Sequence, residues 1–191
     1  MDISPDGRTA LSGGFLFEEF VDVMTLWDLE SGEAIRQFEG HTSMVWDVAY
    51  SPDGKTALSG SWDASLILWD LASGEIIHQL LGHTDAVRAL VISPDGRTAV
   101  SGSKDGTLIL WDLTSGEALR RYHAHIGKVN SVDFSPDGQT VLSGADDGVM
   151  IEWRIDDTLE ELTAWMQTNR YLAELTCSER ARYGVEPLCE E

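Results

Sequence analysis

The chain has little that would point to secretion, membranes or catalysis. Its 191 residues include two cysteines, Cys177 and Cys189. That is too few for a disulfide scaffold and lacks the paired spacing of a zinc site. In a reducing compartment both are expected as free thiols, although the spacing would also allow a small oxidised loop. No apolar run approaches the roughly 18 residues that a membrane span needs. Met1-Asp2-Ile3 leads straight into a repeated motif, with no charged and then apolar leader. The expectation is therefore a cytoplasmic protein. Basic residues are scarce, 13 against 33 acidic ones, for a net charge of −20. A field of that sign repels nucleic acid and anionic membrane surfaces, so neither is expected as a partner. There is no phosphate loop, H-E-x-x-H pair, dinucleotide fingerprint or EF-hand spacing, and no cofactor or metal is expected.

Proline is also rare, and four of the five prolines occupy one tetrapeptide. Ser-Pro-Asp-Gly stands at Ser4–Gly7, Ser51–Gly54, Ser93–Gly96 and Ser135–Gly138, at intervals of 47, 42 and 42 residues. A period in this range marks stacked copies of one supersecondary unit. Tryptophans keep the same beat: Trp27, Trp69, Trp111 and Trp153 close the segments MTLW, LILW, LILW and MIEW. Asp28, Asp70 and Asp112 follow the first three, and Arg154 follows the fourth. Ser59, Ser101 and Ser143 lie ten residues before the last three tryptophans, and Asp63, Asp105 and Asp147 lie six before. His41, His83 and His125 lie 28 before. The first unit has Ser12 at a spacing of 15, so it carries a five-residue insertion around Phe15–Phe20.

Between these markers the chain reads as short strands. Val45–Tyr50, Thr56–Ser59 and Leu66–Trp69 are β-branched or aromatic and are bounded by Gly, Pro and Asp. In Ser-Pro-Asp-Gly, Pro presets φ, Asp bonds its own backbone and Gly takes a positive φ. Asp105-Gly106 and Asp147-Gly148 are tight hairpin signals. Each unit is thus a four-stranded antiparallel sheet with two apolar faces, which must stack on its neighbours.

Gly40-His41, Gly82-His83, the Trp-Asp dipeptides and the period together resemble the WD-repeat family of β-propellers. The resemblance covers Met1 to Trp153, with repeats at about 1–38, 39–80, 81–122 and 123–153. It implies an all-β fold of about four four-stranded blades and no catalytic role. It also implies that the markers form buried hydrogen-bonded chains. These are His41-Ser59-Asp63-Trp69, His83-Ser101-Asp105-Trp111 and His125-Ser143-Asp147-Trp153. Ser, His and Asp also describe a hydrolase triad. Here the set recurs three times at one spacing, without the G-x-S-x-G elbow, which favours a structural role.

The resemblance places partner contacts at the starts of the innermost strands and the adjoining hairpins. By position these are Trp46, Arg88 and Asn130, and Trp62, Lys104 and Asp146. Trp46 and Trp62 fall outside the periodic tryptophan series. Tryptophan is enriched at interface hot spots, but partial burial under a neighbouring loop is the competing reading. From Arg154 onward the pattern changes. Thr158-x-x-Glu161 and Thr176-x-x-Glu179 are capping boxes, so 154–191 is expected to be a short helical extension packed on the last blade. It resembles C-terminal extensions of some bacterial WD-repeat proteins. Propellers of this family resemble closed rings of about seven or eight blades. Four blades fit the C-terminal part of a longer protein, a homodimer completing an eight-bladed ring, or a small open array. The functional expectation is a non-enzymatic protein-interaction scaffold or sensor within a larger bacterial signalling protein. The alternative is an enzyme or small-ligand binder using the central channel.

Overall fold

Fifteen strands form every regular element of the described residues, which in this computed structural model are 1–16, 21–123 and 125–155. The first sheet holds β1 (Asp2–Ile3), β2 (Thr9–Leu16), β3 (Val21–Asp28) and β4 (Ala34–Glu39). The second holds β5 (Val45–Tyr50), β6 (Thr56–Ser61), β7 (Ser65–Asp70) and β8 (Ile76–Leu81). The third holds β9 (Val87–Ile92), β10 (Thr98–Ser103), β11 (Thr107–Asp112) and β12 (Ala118–His123). The fourth has three strands, β13 (Val129–Phe134), β14 (Thr140–Ala145) and β15 (Met150–Arg154). Each sheet is antiparallel and runs in chain order. The expected helical extension lies outside the described residues.

The turn chemistry explains the meander. Ser51 Oγ donates to Asp53 Oδ1 at 2.7 Å, and the Thr56 N–H donates to Ser51 Oγ at 3.0 Å. The Gly54 N–H returns to the Ser51 carbonyl at φ +69, a conformation that a Cβ would strain. The Asp of each Trp-Asp pair shapes the next turn. Asp70 Oδ1 accepts from the Ser73 N–H at 2.7 Å and the Ser73 hydroxyl at 3.0 Å. The first-unit insertion lengthens β2 and β3 to eight residues each.

The core is divided among the seams between sheets. One cluster joins the first two sheets through Leu11, Met24, Phe38, Tyr50 and Trp69. A second joins Leu58, Leu66, Leu90 and Trp111, and a third joins Val100, Leu108, Val129 and Val141. The middle strands β6, β7, β10 and β11 are buried along almost their whole length, because a sheet covers each of their faces.

The first two seams are tied at both rims. At the inner rim Asp2 Oδ2 accepts from the Tyr50 N–H at 2.8 Å, and Asp47 Oδ2 accepts from the Leu90 N–H at 3.0 Å. At the outer rim Arg36 donates to the carbonyls of Ala72 and Ser73, and His78 Nε2 lies 3.0 Å from the Thr114 carbonyl.

Candidate functional site: the marker quartets and the loop rim

The four markers of each of the last three units meet in space. Trp69 Nε1 donates to Ser59 Oγ at 2.8 Å, and His41 Nε2 lies 2.8 Å from the same oxygen. Asp63 Oδ2 is 3.0 Å from His41 Nδ1. An ionised carboxylate only accepts, so Nδ1 carries the hydrogen. In the neutral ring Nε2 then accepts from the Ser59 hydroxyl, which accepts from Trp69. The third sheet repeats the chain. Trp111 Nε1 to Ser101 Oγ is 2.8 Å, Ser101 Oγ to His83 Nε2 is 2.7 Å, and His83 Nδ1 to Asp105 Oδ2 is 3.3 Å. In the fourth, Trp153 Nε1 and His125 Nε2 each lie 2.7 Å from Ser143 Oγ, and Asp147 Oδ2 is 3.1 Å from His125 Nδ1.

Other residues complete these chains. Ser65 and Thr107 hydroxyls donate to Asp63 and Asp105 at 2.6 Å. The Thr42 and Thr84 N–H groups donate to the same carboxylates at 2.8 and 2.9 Å. Burial pushes the Asp105 carboxyl up, but hydrogen bonds from His83, Thr107 and Thr84 outweigh it and hold the group well below the usual range. Asp63 is held low by the same balance. The Val149 N–H is the first cause of the low Asp147, opposed by burial and helped by His125. A reacting hydroxyl must be reachable by substrate. Ser59, Ser101 and Ser143 are fully buried and each already accepts an indole N–H, so the geometry is that of a buried brace. The first unit keeps part of it, with Trp27 Nε1 donating to Ser12 Oγ at 2.9 Å.

The glycine of Gly-His has a packing reason. A Cβ at Gly40 would come 2.9 Å from Trp69 Cη2, and one at Gly82 would come 2.9 Å from Trp111 Cη2. The indole edge lies where that side chain would be.

The six rim candidates occupy two matching positions in three consecutive sheets. Each sheet solves the pair differently. In the second sheet Trp46 and Trp62 stack, with ring centroids 5.7 Å apart and planes 18° apart. They are 41% and 51% exposed, respectively. In the third sheet the pair is Arg88 and Lys104. Lys104 Nζ turns to Asp85 Oδ2 at 3.3 Å, while the Arg88 guanidinium crosses the seam and lies 4.9 Å from the Trp46 ring centroid. In the fourth, Asn130 donates to Asp146. Trp62 sits on a turn whose third residue, Ala64, has φ +68, where the two later sheets carry Gly106 and Gly148. Sequence reasoning named these positions but missed the stack across the seam, because nothing in the chain marks which neighbour Arg88 faces.

One acid on the inner rim is pushed up. Burial raises Asp47, against hydrogen bonds from the Leu90 and Val48 N–H groups. Those two donors take both oxygens, so the group is a tie between sheets. Among the described residues there is no cluster of three His, Cys, Asp or Glu fit to hold a metal.

The family model described as "WD domain, G-beta repeat" matches residues 32–70, 74–112 and 116–154. The chain belongs to the WD-repeat family. Each matched WD repeat runs from an outer strand through the three inner strands of the next blade, as 32–70 contains β4 to β7. The repeat therefore straddles a seam, and the chain itself links the blades. The chain is 36% identical over 56 residues to the guanine nucleotide-binding protein subunit beta of Saccharomyces cerevisiae, covering 29% of this chain and 13% of that protein. It is 48% identical over 40 residues to the guanine nucleotide-binding protein G(I)/G(S)/G(T) subunit beta-1 of Homarus americanus, covering 21% of this chain and 12% of that protein. The matches thus span about an eighth of each relative. WD repeats and β-subunit relatives support a protein-interaction scaffold.

Proposed function

We propose that the chain is a non-catalytic scaffold whose partner protein is held on the blade rim, centred on Trp46, Trp62 and Arg88, with Lys104, Asn130 and Asp146 at its margin. The observation that carries this reading is the stacked, half-exposed Trp46–Trp62 pair. Two large indoles left open to water cost solubility and are the residue type that most often dominates interfaces. The titratable groups of the quartets are consumed in bracing, which leaves recognition as the work of the rim. The guanine nucleotide-binding β subunits among the relatives support a regulatory role, the cysteine-poor composition supports a reducing compartment such as the cytoplasm, and the resemblance of the 154–191 sequence to extensions of bacterial WD-repeat proteins supports a longer bacterial protein. The test is capture of partners by wild type, Trp46→Ala and Trp62→Ala. The expected result is a stoichiometric partner protein lost by both variants while their melting curves stay near wild type. A partner held equally by the double variant overturns the assignment.

Exposed apolar side chains on the first and fourth sheets support a second proposal, that two copies of the array complete one another. Leu142 and Met150 on the fourth sheet are 42% and 69% exposed, whereas Leu58 and Leu66, at the same positions of the second, are fully buried. At the other end Trp27 is 36% exposed, whereas Trp69 and Trp111 are buried. The two faces are the two halves of one seam.

A further inference from the structure

We propose that Arg88, seated on Trp46, is a carboxylate-binding site that takes an Asp, Glu or terminal carboxylate of a partner polypeptide, with the exposed Trp62 indole receiving an apolar neighbour of that group. The inference rests on the scaffold reading and names its chemistry. The starting observation is a mismatch. Lys104 is paired with Asp85 and Lys128 with Asp146, yet Arg88 makes no ion pair or hydrogen bond among the described residues. Its Nε is buried without an acceptor. Among the described residues a guanidinium fork is thus left unused at the rim of a strongly acidic chain.

The local structure explains how the fork is kept free. Arg88 and Lys104 occupy the pair of positions that is Trp–Trp in one neighbouring sheet and Asn–Asp in the other. Two cations there repel. Lys104 goes outward to Asp85, and Arg88 goes across the seam to the Trp46 face. Stacking on an indole holds the guanidinium while, with Nε buried, its two terminal Nη groups remain unspent. Trp62 stacks on the same indole and enlarges the apolar surface of the pair.

The same features select a carboxylate over a phosphate. One planar fork matches two carboxylate oxygens. A dianion would need further cations, and the neighbouring lysines are committed. The net charge of −20 also opposes a dianion more than a monoanion.

The probes are acetylated, amidated hexapeptides with one Glu next to Leu or Phe, their Gln counterparts, and a phosphoserine peptide. The full chain is titrated while the side-chain N–H resonances of Arg88, Trp46 and Trp62 are followed. Saturable shifts are expected with the Glu peptides, with affinity weaker by about tenfold or more for the Gln peptides and for Arg88→Gln. Arg88→Lys should restore only part of the loss. Melting curves of both variants are recorded to show that they are folded. Equal affinity for Glu and Gln peptides, no shift at millimolar peptide, or tighter binding of the phosphopeptide overturns the proposal. Arg88→Gln is also carried through the partner capture. If it retains a partner that Trp62→Ala loses, the scaffold stands and the carboxylate site falls.

Discussion

Ser101 Oγ accepts the Trp111 indole N–H at 2.8 Å and lies 2.7 Å from His83 Nε2, so one hydroxyl joins two otherwise stranded groups. Ser101→Ala leaves a buried donor and a buried acceptor without partners. The expected loss is about 2 kcal/mol or more in chemical denaturation. Ser12→Ala removes the matching bond of the first blade, where Trp27 is partly exposed and water can replace it. That loss should stay near 0.5 kcal/mol. Equal losses at the two sites would show that the buried quartet is not what stabilises the blade.

Gly102 and Gly144 occupy one repeat position in different surroundings. A Cβ on Gly102 would meet Val129 Cγ1 at 2.5 Å, while one on Gly144 meets nothing within 4 Å. Gly102→Ala should cost about 1–3 kcal/mol through a forced shift at the seam. Gly144→Ala should be neutral or slightly stabilising. Paired melting curves check the contrast.

Acid should unfold the array through its marker aspartates. Asp63, Asp105 and Asp147 all sit below their ordinary range when folded. A lowered carboxyl contributes stability that is present above the unfolded pKa of about 3.9 and is lost as pH falls through the folded value. Stability should therefore decline below about pH 4. Asp47, raised by burial, acts with the opposite sign and costs stability once pH rises through its folded value. Denaturation midpoints between pH 2 and 7 test this, and Asp105→Asn should flatten the acid limb. An acid limb identical to wild type in that variant would remove Asp105 from the account.

The exposed Leu142, Met150 and Trp27 predict self-association of the isolated chain. Sedimentation at micromolar concentration should give twice the chain mass, falling to a single mass with Met150→Glu. A single mass for wild type would count against mutual completion by two copies.

Much of the blade could be read before its coordinates, for reasons that are local. Ser-Pro-Asp-Gly specifies its own turn, and Trp, Ser, Asp and His recur at spacings fixed by strand length and hairpin size. The seams were less legible. Asp2, Asp47, Arg36 and His78 bond to residues 36 to 48 positions away, and each does so with a backbone group that has no sequence signature. The Arg88–Trp46 contact was hidden because nothing in either residue marks the other as its neighbour across the seam. The lengthening of β2 and β3 could be read only as an insertion, since extra residues fit a loop as readily as a longer hairpin.

The double fastening of the first two seams has a consequence for recognition. Asp47 locks the hub side of the second blade to the third, and His78 locks the periphery, so the two cannot pivot about either edge. Spacings between side chains on adjacent blades are then set by the scaffold and not by the visitor. A binding protein must arrive already shaped to that ruler, and a misfit of an ångström is corrected by its own loops or not at all.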